Sequence, residues 1–175
     1  MAIVYLGLGS NMGDRTAYLV QACATLHRHP RLQIQATSSL YRTAPVGVTA
    51  QAWFLNAVIR AWTDLRPAAL LSVTQATERR LGRVSTFHWG PRCLDIDILL
   101  YDDVEMHTPV LTLPHAALHE RAFVLVPLHE LAPNLYVPPD KRVHELLSAC
   151  CTEGVEKLGA FPPFEHGVRH ESSRT

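Results

Sequence analysis

The chain is 175 residues long, with 47% hydrophobic residues and equal numbers of basic and acidic side chains, 16 of each. That charge balance argues against a protein that binds nucleic acid or a membrane surface, and no apolar run reaches the roughly eighteen residues of a membrane span. Four cysteines without Cys-x-x-Cys spacing, and an N-terminus unlike a signal peptide, indicate a reduced, cytoplasmic setting.

The N-terminal segment predicts a strand followed by a helix. Residues 2–9 read as a buried strand that ends in the run Gly7-Leu8-Gly9-Ser10-Asn11. Either Asn11 or Asp14 would cap the helix that follows. A glycine-rich strand end that opens a helix can bind phosphate, but a tight strand-to-helix turn explains the same pattern.

The rest of the chain alternates between predicted strands and helices. Residues 32–42 alternate as a strand, and residues 53–62 read as a strand of mixed faces. A helix is expected over 67–81, where a proline occupies its first turn. Two further helices are expected over 122–131 and 143–151. Several connections are short enough for hairpins, which favours an α+β sandwich in which helices cover one mostly antiparallel sheet.

The segment 89–101 carries the strongest chemical signal. It begins as a turn and continues as a strand, whose period of two places Asp95 and Asp97 on one face, about 6.5–7 Å apart at the backbone. Two neighbouring carboxylates in an apolar segment are costly to bury, and a divalent cation would relieve their repulsion. The alternative is an edge strand with two ordinary solvated aspartates.

Other polar side chains allow more than one interpretation. His115 and His119 lie four residues apart and could bind zinc on one helix face, but no third ligand is evident. Arg83, Arg92 and Arg121 lie near predicted turns, where arginine forks match phosphate oxygens. For each arginine the alternative is a solvated surface charge.

Aromatic residues could form a slot for a flat heterocycle. Trp89, Phe54 and Phe123 would stack against such a ring, and the Asn56 amide would read its polar edge. The alternative is that these aromatic residues belong to the ordinary core.

A series of motifs runs along the chain: Gly9-Ser10-Asn11, Ser39-Leu40-Tyr41-Arg42-Thr43, Phe54-Leu55-Asn56-Ala57, Gly82-Arg83, Trp89-Gly90-Pro91-Arg92-x-Leu94-Asp95-x-Asp97, Pro114-His115 and Arg121-x-Phe123-Val124-Leu125-x-Pro127-Leu128. In their order and spacing the chain resembles the hydroxymethyldihydropterin pyrophosphokinases of folate biosynthesis from about residue 3 to 150. We accordingly expect one pyrophosphokinase domain at residues 1–161 and a disordered tail at 162–175.

The resemblance implies a ferredoxin-like domain that moves pyrophosphate from ATP to the hydroxymethyl group of the reduced pterin and releases AMP. It implies two Mg²⁺ ions held by Asp95 and Asp97. It assigns catalytic contacts to Arg83, Arg92 and His115. It assigns ATP binding to Gln75, Glu78, Ile98, Thr112, His115 and Arg121. It assigns pterin binding to Thr43, Ala44, Val46, Phe54, Asn56, Trp89 and Phe123.

The expected partners are these two small-molecule substrates, without nucleic acid or membrane, and the expected state is a monomer. One departure from the family pattern concerns the loop at 83–88, which carries fewer basic residues than usual. That depletion supports an alternative from a different class, a non-catalytic pterin- or nucleotide-binding protein that has retained the fold.

Overall fold

The computed structural model describes residues 1–45, 50–83 and 92–165. Its strands are β1 (Ala2–Ser10), β2 (Leu32–Thr37), β3 (Leu40–Thr43), β4 (Phe54–Thr63), β5 (Asp95–Tyr101), β6 (Met106–His107), β7 (Thr112–Leu113), β8 (Tyr136–Val137), β9 (Lys141–Arg142) and β10 (Val155–Gly159). Its α-helices are α1 (Arg15–His27), α2 (Pro67–Arg80), α3 (Ala122–Leu131) and α4 (Val143–Ser148).

The main sheet has six strands in the order β10-β3-β4-β1-β5, with β2 pairing on β4 beside β3. Its strand pairings are antiparallel. β6 and β7, and likewise β8 and β9, form two small separate sheets. The predicted α+β sandwich around one mostly antiparallel sheet is therefore confirmed. In the described ranges, no helix is long and apolar enough to cross a membrane.

The two faces of the main sheet bury different helices. On β1, Leu6 and Leu8 pack in a core with α1 and α2, whereas Tyr5 packs in a second core with α3 and α4. Because successive strand residues point to opposite faces, Gly7 and Gly9 share the α3 face with Tyr5. The absence of side chains at these two glycines leaves space above the sheet beyond the second core.

The predicted strand over 32–42 is two strands in the structure. It is interrupted at Ser38 and Ser39, where the Ser38 hydroxyl accepts a hydrogen bond from the Val58 amide (2.9 Å) and donates one to the Ser39 carbonyl (2.8 Å). The Ser38 amide also donates to the Val58 carbonyl (2.8 Å), so side-chain and backbone bonds together satisfy the chain at the break, which alternation alone does not reveal. β10, which was not predicted, pairs with β3 through a largely polar stretch at the sheet edge.

The described chain continues into the segment predicted as a tail. Phe161 and Phe164 pack against the core beside α1 and α2, and Glu165 forms an exposed ion pair with Arg28 (3.1 Å). Residues 166–175 lie outside the described residues, so the boundary between domain and tail stays a prediction.

Glu130 connects α3 to the sheet. Its carboxylate accepts hydrogen bonds from the Tyr41 hydroxyl (2.6 Å), the Ser39 hydroxyl (2.8 Å) and the Ser39 amide (3.1 Å), and Lys157 lies 3.4 Å away. Burial raises the pKa of Glu130, but the hydrogen bonds from Tyr41 and Ser39 outweigh it and lower the pKa below the ordinary 4.5.

We expect Glu130→Gln to lower the free energy of unfolding by about 1–2 kcal/mol at neutral pH, because an amide N–H₂ would face one of these donors. Since the folded-state pKa is lowered, the stabilisation is complete above pH 4.5 and is lost as the pH falls through the folded-state value. Urea unfolding should therefore show the difference between wild type and variant shrinking on acidification. Glu153→Gln, at an exposed position, is the control.

Candidate active site

A cavity of about 310 Å³ lies on the α3 face of the sheet, above the ends of β1, β4 and β5. Residues from these strands, from β3 and from the start of α3 line it. Its volume lies near the lower end of the roughly 300–1,000 Å³ typical of small-molecule sites. The cavity thus occupies the space that the two glycines of β1 leave open.

Asp95 and Asp97 both line this cavity, as their spacing predicts. On the neighbouring strand they pair with Gly9 and Gly7, so no side chain of β1 lies between them and the cavity. Their exposures differ: the side chain of Asp97 is 51% exposed and that of Asp95 only 18%. Asp97 is therefore open to a ligand, whereas Asp95 is largely enclosed.

Two arginines enclose Asp95. Arg92 Nη1 lies 2.8 Å from Asp95 Oδ2, and Arg83 Nη2 lies 2.9 Å from Asp95 Oδ1. Burial raises the pKa of Asp95, and the charges of Arg92 and Arg83 oppose that rise. Burial prevails, so the pKa of Asp95 lies above its ordinary 3.8, while an arginine nitrogen contacts each carboxylate oxygen.

A β-bulge positions His115 next to the acidic pair. Leu99 has no partner where β5 pairs with β1, and its carbonyl accepts the His115 amide (2.9 Å). The His115 Nδ1 accepts the Ala117 amide (3.3 Å), which assigns the proton of the neutral imidazole to Nε2. That atom lies 4.0 Å from Asp97 Oδ2. His115 therefore presents an N–H donor to the cavity.

The zinc alternative at His115 and His119 finds no support in the described residues. His119 Nε2 lies 3.2 Å from the Pro138 carbonyl rather than beside His115 Nε2 and Asp97. In addition, no group of three or more His, Cys, Asp or Glu side chains that could hold a metal occurs in the part of the chain that is described.

The other end of the cavity combines an amide with aromatic and small side chains. Asn56 is buried, and its Nδ2 donates to Thr43 Oγ1 (2.6 Å). Phe54, Phe123 and Ala44 also line this cavity. The predicted pterin contacts Val46 and Trp89 lie outside the described residues. A flat, polar-edged ring would thus meet both an amide and aromatic faces here.

Gly9 has a steric role that the sequence did not reveal. It lies inside β1, so neither the tight-turn nor the phosphate-loop interpretation describes it. A Cβ at this position would lie 2.9 Å from Asn56 Oδ1, closer than real Cβ contacts allow. Glycine here lets the Asn56 amide occupy its place in the cavity wall.

Asn11 is a further residue with a role that sequence reasoning missed. Asp14, not Asn11, caps α1, by accepting the Ala17 amide (3.0 Å). The buried Asn11 side chain instead donates to Gln51 Oε1 (2.9 Å) and accepts the Arg92 amide (2.8 Å). It thereby joins two chain segments beside the cavity. In the sequence, the position of Asn11 directly after Gly9 and Ser10 was the feature that could have indicated this role.

The predicted ATP contacts fall into two groups. His115 and Arg121 line the cavity, and the Arg121 guanidinium lies 5.6 Å from the Phe123 ring centroid. Four others do not line it, and their assignment stays a prediction. Gln75 is exposed on α2, Ile98 is buried in the opposite core, Thr112 lies in β7, and Glu78 is buried on α2.

Fold and site together define a protein of the α+β class with a cavity suited to a small molecule. A family model described as 7,8-dihydro-6-hydroxymethylpterin-pyrophosphokinase (HPPK) matches residues 5–133. A 2-amino-4-hydroxy-6-hydroxymethyldihydropteridine pyrophosphokinase from Methylorubrum extorquens is 45% identical over 158 residues, which cover 90% of this chain and 99% of the relative. The chain belongs to the HPPK family.

Further relatives agree with this assignment. The enzyme of the same name from Pseudomonas aeruginosa is 42% identical over 155 residues, covering 89% of this chain and 96% of that protein. The protein is thus a transferase that moves pyrophosphate from ATP to 6-hydroxymethyl-7,8-dihydropterin in folate biosynthesis.

Solved structures support the fold alone. A crystal structure of Plasmodium falciparum HPPK-DHPS A437G with STZ-DHP has a TM-score of 0.67 at 15% identity. The match covers 85% of this chain and 45% of that chain, so this protein spans less than half the length of that structure.

Proposed function

We propose that the cavity is the active site and that pyrophosphate transfer there depends on Mg²⁺ held by Asp95 and Asp97. The observation that carries this proposal is the placement of the acidic pair in one cavity between two groups of residues. Arginines suited to phosphate lie on one side, and the Asn56 amide with its aromatic neighbours lies on the other.

The donor set suits Mg²⁺. Asp95 and Asp97 offer hard carboxylate oxygens, and magnesium is usually held by one or two carboxylates together with substrate phosphates. The lack of a third acidic or imidazole ligand among the described residues fits such a shared coordination. When bound, the ions (two are expected) would neutralise charge on the triphosphate.

The chain's own cations complete the phosphate site. Phosphoryl transfer relies on positioning and on stabilising charge at the equatorial oxygens of the transferred phosphorus. Arg83 and Arg92 would donate hydrogen bonds to the oxygens of the transferred group. His115 Nε2–H, which lies beside Asp97, would donate a further hydrogen bond to these oxygens. Arg121, at the start of α3, would hold the remaining phosphate charge.

The pterin would occupy the amide and aromatic end of the cavity. Asn56, held by Thr43, would read the polar edge of the ring, while Phe54 and Phe123 would contact its faces. Ala44 would complete the described wall, and Val46 and Trp89 remain predicted contacts. This arrangement directs the hydroxymethyl group toward the acidic pair, where the β-phosphorus would lie.

Two expectations on the setting of the enzyme also remain proposals. We propose that it acts in the cytoplasm, which the absence of cysteine spacing typical of disulfide frameworks supports. The monomeric state stays a prediction.

An AMP-release assay tests the proposed activity. We expect AMP to form from ATP only when the reduced pterin and Mg²⁺ are both present, and to stop when EDTA removes the metal. Pterin binding measured by calorimetry, without any AMP at saturating Mg²⁺ and ATP, would instead support the non-catalytic alternative.

A further inference from the structure

Charged side chains of alternating sign form a row that starts on α2, outside the cavity, and reaches the cavity wall at Arg92 and Asp95. Glu78 Oε1 lies 2.5 Å from Arg83 Nη1, and the second arm of Arg83 contacts Asp95 Oδ1. Arg92 contacts the other oxygen, Asp95 Oδ2. Both oxygens of this predicted metal ligand are therefore occupied by arginine nitrogens.

The contacts of Glu78 allow it to hold Arg83 in place. It is 6% exposed, and its Oε1 also accepts the Ile96 amide at 2.7 Å, which anchors the carboxylate to β5. The main chain adds a second connection, because the Arg83 amide donates to the Glu78 carbonyl at 3.0 Å. Arg83 is thus held to Glu78 through both its backbone and its side chain.

We propose that Glu78 is a positioning residue, which holds Arg83 against Asp95 so that the free enzyme takes up its divalent cation only together with the triphosphate. This inference rests on the metal site proposed at Asp95 and Asp97. It gives Glu78 a role through Arg83 in place of direct contact with ATP.

The physical reason is an exchange of ion pairs. A cation that approaches Asp95 alone must displace Arg83 and Arg92, whose side chains are each 31% exposed. Each arginine would then lose its charged partner at a site that water reaches only in part, which is costly. A triphosphate offers these arginines replacement oxygens. Metal and nucleotide therefore favour each other's binding, and such coupling is reciprocal.

A double-mutant cycle at Glu78 and Arg83 tests the proposal, with Mn²⁺ as the metal probe and electron paramagnetic resonance of unbound Mn²⁺ as the readout. The variants are Glu78→Gln, Arg83→Met and the double variant. Glutamine retains an oxygen that can accept the Ile96 amide, and the double variant has the same net charge as wild type. A change in its Mn²⁺ affinity therefore cannot come from net charge.

Without nucleotide, we expect the double variant to bind Mn²⁺ about tenfold more tightly than wild type, because one charge-assisted contact on Asp95 is gone. We also expect Arg83→Met to raise the affinity less in the Glu78→Gln background than alone, since Arg83 is no longer held in place. With α,β-methylene-ATP, whose bridging carbon blocks transfer, and after subtraction of the Mn²⁺ that the nucleotide alone binds, wild type should gain much more Mn²⁺ affinity than the double variant.

The control is Arg31→Met with Asp64→Asn, which removes an exposed ion pair (2.7 Å) outside the cavity and should leave Mn²⁺ affinity unchanged. Circular dichroism melting checks that each variant is folded. Should the double variant not fold, Glu78→Gln against Glu153→Gln, at an exposed position, makes the comparison with matched charge, and Mn²⁺ affinity should rise only in Glu78→Gln.

The outcomes distinguish a failure of the role proposed for Glu78 from a failure of the metal site on which that role depends. Equal Mn²⁺ affinities for free wild type and double variant, or equal effects of Arg83→Met in both backgrounds, would overturn the role of Glu78. Absence of Mn²⁺ binding by wild type even with α,β-methylene-ATP would overturn the metal site itself.

Discussion

Replacing Asp97 with alanine is expected to lower kcat by about 10³-fold or more while leaving the protein folded. A metal ion supplies several kcal/mol of charge stabilisation in such reactions, and each 1.36 kcal/mol is about tenfold in rate. Asp97 is half exposed, and its charge is among the influences that raise the pKa of Asp95, so its removal relieves a repulsion. The melting temperature should therefore not fall.

The measurement is single-turnover AMP formation at saturating ATP and pterin, with melting followed in parallel. Asp103→Ala is the control, since it removes an exposed carboxylate from the turn directly after β5. It should leave kcat unchanged. An Asp97→Ala variant with normal turnover would show that the metal assignment is wrong.

The second large effect is expected at Gly9. In Gly9→Ala the new Cβ would lie 2.9 Å from Asn56 Oδ1, so the Asn56 amide must move away. That movement strains its 2.6 Å hydrogen bond to Thr43 and displaces the group proposed to read the pterin edge. A misplacement of about 1 Å can cost roughly 10²-fold, and we expect kcat/KM for the pterin to fall by that order.

Gly7→Ala is the matched control two residues earlier on the same face. Its Cβ would lie 3.4 Å from Leu99 Cδ2, a contact that a small shift of the leucine can relieve. We expect less than about a tenfold change in kcat/KM for this variant, because 3.4 Å is at the edge of ordinary van der Waals contact and the neighbour is the end of a flexible side chain. Titration of pterin binding to both variants separates a loss of affinity from a loss of turnover. If Gly9→Ala binds pterin like wild type, Asn56 does not read the ring.

Local patterns were sufficient for the elements that depend on neighbouring residues. Helix α2 follows from the proline at its first position and the apolar spacing along it, and β5 follows from alternation. The shared face of Asp95 and Asp97 is a consequence of strand geometry alone. Two errors have a common origin. The break at Ser38 and the edge strand β10 are both stabilised by contacts with distant parts of the chain.

The α+β class, the acidic pair and the family could be read from strand periodicity and motif spacing, because both are properties of the linear chain. The groups that meet at the acidic pair became known from the folded structure. Arg83 on Asp95 and Asn56 against Gly9 are contacts between residues 12 and 47 positions apart. Arg92 and Glu78 lie only three and five residues from their partners Asp95 and Arg83, but spacing alone does not show that those side chains meet. Packing brings those side chains together. The neighbours of each charged side chain determine whether it can bind a metal, bind phosphate or hold another side chain in place.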